Sequence, residues 1–327
     1  MVLPIVLLLV GFGILIKGAD FLVNGASSLA KKFNISNLAI GLTVVAFGTS
    51  MPELIVSLIA ALDGKADAAF GNVIGSNNFN LLFILGVCGL ICPLVVHRNS
   101  VKYEVPLSLL AALVLFLIVN DTRFFGALPN ENWLSRMDAG ILLTFFGLFM
   151  FYIYRTMKNS SETDSGGDQI KLYTPAISSG LVALGLAMLI GGGKLVVDNA
   201  VDLAKHFGLS ERLIGLTILA IGTSLPELAT SAVAAYRKNT DIAIGNVIGS
   251  NIFNIFFILG ITGFVSPLHF DAAMNFDLYV LMVGTLALMV FMFTLNTRKL
   301  DRWEAALMLA GYIAYTIFLI GMEEGLA

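Results

Sequence analysis

AFGTSMPELIVS, residues 46–57, and AIGTSLPELATS, residues 220–231, each set a proline beside a glutamate inside a long apolar run. A membrane-buried helix normally carries leucine at such depth. Pro52 and Pro226 have no N–H, so the carbonyls of Gly48 and Gly222, four residues back, lose their helical partners. Those glycines weaken the helix as well, and a break is expected in each run, freeing carbonyls from Ala46 to Thr49 and from Ala220 to Thr223. Within a membrane such carbonyls must be buried in protein or line a wet cavity. Glu53 and Glu227 fall in the first turn after each break, where a central charge costs on the order of 3 kcal/mol. A bound cation would offset that cost at both places.

The composition agrees with the membrane setting. Hydrophobic residues make up 57% of the 327 and charged residues 13%, with a mean hydropathy of +0.89. A soluble domain is about one quarter charged, so this is an integral membrane protein whose first partner is the lipid bilayer. A net charge of −3 leaves no footprint for nucleic acid. Cys88 and Cys92 lie four apart with no His or carboxylate beside them and are read as packing residues; His97, His206 and His269 form no ligand spacing. No HExxH pair, GxSxG elbow or hydroxyl with a His base is present, so the chain is not read as an enzyme, and no cofactor is expected. The N-terminal LPIVLLLVGFGILI lacks a basic leader and a cleavage site and reads as a spanning helix.

A span needs about 20 apolar residues. Ten candidates fall near 2–30, 37–62, 67–93, 104–119, 138–155, 175–204, 213–236, 241–266, 277–295 and 304–321, the first and sixth long enough to tilt. Residues 40–86 align without a gap on 214–260, with 29 of the 47 positions identical. Five spans per half is an odd number, so the second half enters from the opposite side. The expected fold is therefore an all-α polytopic membrane protein. Its ten transmembrane helices form two inverted five-helix repeats with broken helices at the midplane, as in secondary transporters. The first repeat takes residues 1–157, a polar linker 158–173 (KNSSETDSGGDQ at its start), and the second repeat 174–327.

Loop charges give the orientation. One side collects Lys31, Lys32, Arg98, Lys102, Arg155, Lys158, Lys171, Arg237, Lys238, Arg298, Lys299 and Arg302; the other holds only Lys65, Arg123, Arg136, Lys205 and Arg212. The richer side is placed in the cytoplasm, which puts both termini outside the cell (inner or plasma) membrane.

The third and eighth spans carry GNVIGSNNFN (71–80) and GNVIGSNIFN (245–254). Asn72, Ser76 and Asn80, and likewise Asn246, Ser250 and Asn254, recur at four-residue steps and make a polar stripe on an apolar helix. Gly71 with Gly75, and Gly245 with Gly249, allow close helix approach. With Thr49, Ser50, Thr223 and Ser224 added, the donor set is all oxygen, which suits a hard cation: calcium takes six to eight such ligands, and the two carboxylates match one divalent charge. The same oxygens, shared among monovalent ions, suit sodium. Asn77 and Asn251, off the stripe, serve either the site or helix association. Asp67 and Asp241 are expected as N-caps. Lys17 and Lys194 are expected to snorkel, with Asp20, Asp198 and Asp202 paired to them or facing a vestibule.

GTSMPE (48–53) with the first GNVIGSN segment, and GTSLPE (222–227) with the second, resemble the two α-repeats of the sodium/calcium exchanger family, and the ten-span pattern extends the resemblance over nearly the whole chain. The resemblance implies an antiporter that works by alternating access, expelling calcium as sodium enters. It implies calcium between Glu53 and Glu227 with backbone oxygens of Thr49 and Thr223. It implies sodium on the same glutamates with Ala46, Ser50, Ser76, Ala220, Ser224 and Ser250, Asn80 and Asn254 at the centre, and the first and sixth spans sliding past the rest. Some relatives carry Asp at the place of Asn254, which bears on ion count and on coupling to potassium or protons. Proton/calcium exchangers usually carry Glu where this chain has Gly75 and Gly249, which favours sodium. A proton-coupled cation antiporter of the same fold is the alternative, and a passive cation channel is a more distant one.

Overall fold

The computed structural model describes residues 2–96, 100–121, 132–159, 172–206, 220–294 and 298–323. Helix α1 (Val2–Lys32) is followed by a bent pair, α2 (Asn37–Thr49) and α3 (Met51–Leu62), and then α4 (Ala66–Ile91), α5 (Val105–Val119) and α6 (Arg136–Asn159). The second half repeats the order with α7 (Pro175–His206), the short α8 (Ala220–Gly222), α9 (Leu225–Tyr236), α10 (Thr240–Val265), α11 (Asn275–Phe291) and α12 (Arg302–Glu323). Among the described residues eight helices are long and apolar enough to cross a bilayer, and the α2–α3 pair makes a ninth. The span expected at 213–236 is described only from Ala220, and the linker only at 158–159 and 172–173.

Burial sorts the helices into a centre and a wall. The most apolar stretch of α10 is 94% buried and that of α4 72%, against 17% for α12. So α4 and α10, the two GNVIGSN helices, form the core of the molecule, and the others present leucine, isoleucine and phenylalanine outward, as a lipid-facing surface requires. Two short antiparallel ribbons lace the halves together: Leu94–Val95 pairs with Lys299–Leu300, and Trp133–Leu134 with Leu268–His269.

The close approaches are made by glycine. Along α1 and α7, Gly11 faces Gly192, Gly18 faces Gly185 and Gly25 faces Ser178, an antiparallel seam with one contact every seven residues. A Cβ on Gly185 would stand 2.7 Å from Leu22 N and 2.8 Å from Gly18 O, so the two backbones touch. Similarly, Gly245 and Gly249 press on α2 at Leu38 and Leu42. For Gly71 and Gly75 no described atom lies within 4 Å of a Cβ.

Two local expectations are corrected. The N-cap of α10 is Asn239, whose side chain accepts from Ile242 N at 3.2 Å, and α4 begins behind Lys65; Asp241 and Asp67 stand inside the first turns, where a carboxylate still meets the positive end of the helix dipole. Asp20 pairs with Arg237, not with a lysine.

Candidate functional site

Each glutamate is positioned by the break that precedes it. Ser50 (φ −83°, ψ 8°) and Ser224 (φ −90°, ψ 7°) leave the helical region, Pro52 and Pro226 sit in the first turns of α3 and α9, and the carboxylates follow one residue later. A proline is tolerated there because first-turn N–H groups have no helical partner to lose, and a carboxylate there is favoured by the dipole. The break is tighter than the sequence suggests. Ala46–Thr49 stays helical, the carbonyl of Ala46 accepts Ser50 N–H at 3.0 Å, and α2 and α3 meet at 45°. Losing one proline N–H disrupts one residue, not a whole turn. Wide π-turns at Gly41–Val45, Phe79–Ile84 and Phe253–Leu259 take up the remaining distortion. The last two carry Asn80 and Asn254, and such turns recur at functional sites.

The two halves then cross-brace. Ser50, three residues before Glu53, donates to Oε1 of Glu227 at 2.9 Å, and Ser224 donates to Oε1 of Glu53 at 3.0 Å. Ser224 Oγ also lies 2.9 Å from Ser76 Oγ. Behind each glutamate stands an asparagine clamp. Asn72 Nδ2 donates to Glu53 O at 3.2 Å and to Ser57 Oγ at 2.9 Å, while its Oδ1 accepts from Thr223 at 3.2 Å. Asn246 repeats this on Glu227 O (3.4 Å), Ser231 Oγ (2.9 Å) and Thr49 (3.1 Å). At the α4–α10 crossing, Asn77 and Asn251 donate to each other's carbonyls at 3.2 Å; their Oδ1 atoms hold the amides of Asn254 (2.8 Å) and Asn80 (3.2 Å). These two asparagines join the helices and orient the amides beside them.

What is left over defines the chemistry. Glu53 Oε2, Glu227 Oε2, Asn80 Oδ1, Asn254 Oδ1 and Ser250 Oγ are buried without a hydrogen-bond partner. The amide nitrogens of Asn80 and Asn254 are already engaged, so their free atoms are the carbonyl oxygens, set by the network. Both glutamates are 1% exposed and neither forms an ion pair with Lys or Arg among the described residues. Two uncompensated carboxylates at that depth cost several kcal/mol each, and a ring of free oxygens is the arrangement a hard cation satisfies. Thr49, Ser76 and Ser250 are fully buried, Thr223 is partly exposed, and Ala220 opens α8. Phe47, Met51, Leu54, Phe253 and Phe257 close over Ser50, leaving a crevice too narrow for water.

Ser57 and Ser231, with Asn72 and Asn246, belong to this machinery although the motifs alone did not single the serines out. Their signal was present: a serine four residues after each glutamate, identical in the two halves. Ser231→Ala would leave the Asn246 amide nitrogen with its weaker 3.4 Å bond only. The expected result is a loss of about 1–2 kcal/mol in cation-dependent thermal stabilisation, read as a smaller calcium-induced shift in melting temperature, with Ser57→Ala doing the same in the other half.

The sequence pattern of the sodium/calcium exchanger protein family matches residues 3–155 and 177–321, one stretch in each half. The chain belongs to the sodium/calcium exchanger family. The match places it among membrane antiporters, in agreement with its apolar helices. Relatives of nearly equal length include the inner membrane protein YrbG of Escherichia coli, 36% identical over 98% of this chain and 97% of that protein. Another is the sodium/calcium exchanger MaX1 of Methanosarcina acetivorans, 30% identical over 96% and 97%. A solved structure of the sodium-calcium exchanger NCX_Mj, soaked with Na+ and Ca2+, superposes with a TM-score of 0.79 at 33% identity, covering 96% of this chain and 97% of that one.

Proposed function

We propose that this exchanger moves calcium against sodium by alternating access, with Glu53 and Glu227 as the shared carboxylates. The observation that carries the reading is the pair of cross-braced glutamates, each with one oxygen bonded to a serine of the other half and one oxygen free. Calcium takes Glu53 Oε2 and Glu227 Oε2, with the Thr49 and Thr223 carbonyls completing the shell. Sodium ions use the same glutamates with Ser50, Ser76, Ser224, Ser250 and the carbonyls of Ala46 and Ala220. Because Ser50 and Ser224 donate to the carboxylates, an ion that takes the serine oxygens works with those bonds in place, and one that takes both carboxylates pulls them inward. Competition for two charges makes exchange obligatory: neither ion leaves without the other replacing it, since empty buried carboxylates are costly.

Several features support sodium as the coupling ion and the plasma or inner membrane as the setting. Gly75 and Gly249 stand where a proton-coupled site would add a carboxylate, and Asn80 and Asn254 contribute neutral oxygens. Lys and Arg gather on one set of loops, which places that side in the cytoplasm and the termini outside. The glycine-seamed α1–α7 pair is the element that slides past the buried core of α4 and α10, carrying the two five-helix halves between outward and inward states.

The test is calcium uptake into liposomes holding the purified protein, with a sodium gradient imposed and then collapsed by a sodium ionophore. Uptake that follows the sodium gradient supports the reading. Uptake that ignores sodium and follows a pH gradient assigns the chain to proton coupling instead, and conductance without counter-ion to a channel.

A further inference from the structure

Arg237 caps α9 at the turn into α10, and its guanidinium reaches across to α1, where it donates to Asp20 and, among the described residues, to no other carboxylate: its second nitrogen donates to Asn24 Oδ1, one turn further along the same helix. The contact joins the α1–α7 pair to the core on the side of the α9–α10 turn. The internal repeat relates each residue to the one 174 further on, as the mutual Asn77–Asn251 bonds show. The same shift turns the Gly18–Gly185 contact into Gly192–Gly11, which the seam also contains. Applied to the Arg237 contact, it replaces Arg237 by Asp63, Asp20 by Lys194 and Asn24 by Asp198. The charges change sign, and attraction is kept.

That second contact is not made. Lys194 is exposed and forms no ion pair among the described residues, while Asp63 meets only Lys65 at 3.7 Å, with side-chain exposures of 54% and 69%. A pair so exposed contributes almost nothing, so Asp63 is free to be recruited. Inverted halves put the α3–α4 turn and the α9–α10 turn on opposite sides of the membrane. Because α1 and α7 touch backbone to backbone, they move as one body relative to the core, and a shift that separates Arg237 from Asp20 at one end carries Lys194 toward Asp63 at the other.

We infer that Asp20–Arg237 and Asp63–Lys194 are two alternating latches, each closing one side of the exchanger and each able to form only when the other is broken. The inference rests on the alternating-access reading above. The latches are unequal. The Arg237 latch has two acceptors from α1, whereas the mirror latch places Asp198 beside Lys194, where it repels Asp63. The conformation with Arg237 latched is the resting one for that reason.

Cross-linking measures this without any transport. In a chain carrying Cys88→Ala and Cys92→Ala, the pair Asp63→Cys and Lys194→Cys is treated with a short bifunctional thiol reagent, and the linked peptides are quantified by mass spectrometry. The expected yield is low with Arg237 in place and rises about tenfold when Arg237→Gln is added, the size of shift that loss of a charge-assisted latch gives. Exchanging the first pair, Asp20→Arg with Arg237→Asp, restores attraction and returns the yield to its low value, which separates a latch from a variant that merely misfolds. A yield that is the same with Arg237 and with Arg237→Gln overturns the inference. A chain that couples to protons instead of sodium would still show the latch effect, so failure of the sodium reading is told apart.

Discussion

Glu53→Gln and Glu227→Gln are each expected to slow calcium uptake by more than about a hundredfold, because removing one partner of a buried charged assembly costs on the order of 3–5 kcal/mol. The substitution is nearly isosteric. Gln keeps an oxygen for the serine of the opposite half, Ser224 for position 53 and Ser50 for position 227, so the cross-brace has no reason to collapse. What changes is the second position: an amide N–H, a donor, can occupy the place of the free Oε2 proposed to take the cation. Stability makes a second readout with the opposite sign. Without cations the parent holds two buried carboxylates lacking a counter-charge, so each Gln variant is expected to melt at a higher temperature than the parent. Calcium then raises the melting temperature of the parent by mass action and leaves the variants nearly unmoved. Full uptake by either variant would mean that the cation is held elsewhere.

The second large effect belongs to the seam between α1 and α7. Gly185→Leu is expected to abolish transport and remove most folded protein from the membrane fraction. Even the first carbon of a side chain at 185 would lie 2.7 Å from Leu22 N and 2.8 Å from Gly18 O, and backbone atoms of a packed helix do not move aside as a side-chain tip does. Overpacking of this kind costs about 1–3 kcal/mol where neighbours can relax and more where they cannot. Gly191→Leu, on the same helix at a position with no described atom within 4 Å of a Cβ, is the control and should be tolerated. Equal behaviour of the two variants, measured by size-exclusion profile and calcium uptake, would mean that the seam is not what holds the pair together.

The candidate site is legible in the sequence because it is written twice. A proline, a glutamate and a GNVIGSN segment recur at a constant spacing, and chemistry that is improbable once in a membrane helix is informative when duplicated. The charged residues were less legible. Asp20 looked like a partner for a lysine on its own helix, yet it is engaged by Arg237 from 217 residues away. Lys194 reads, like Lys17, as a snorkelling residue, whereas the shift of 174 that relates the halves sets it in the place of Asp20. Asp67 and Asp241 looked like caps and stand one or two residues inside their helices. In each case the local pattern allowed several partners, and only the packing of distant helices selected one. The number of spans illustrates the same limit: nine are accounted for among the described residues, and the stretch that would complete the tenth lies at 213–219, outside them.

Hydropathy, the odd number of spans in each half and the paired Pro-Glu motifs determine the membrane class, the inverted repeat and the two carboxylates, since each follows from the sequence near it and from the cost of polar groups in hydrocarbon. The tertiary structure decided which serine holds which glutamate. It also decided which buried oxygens are left without a hydrogen-bond partner and which end of α1 and α7 is tied to the core. Those are contacts between residues more than 140 positions apart, and side-chain directions at a helix crossing are fixed by what packs on the other side.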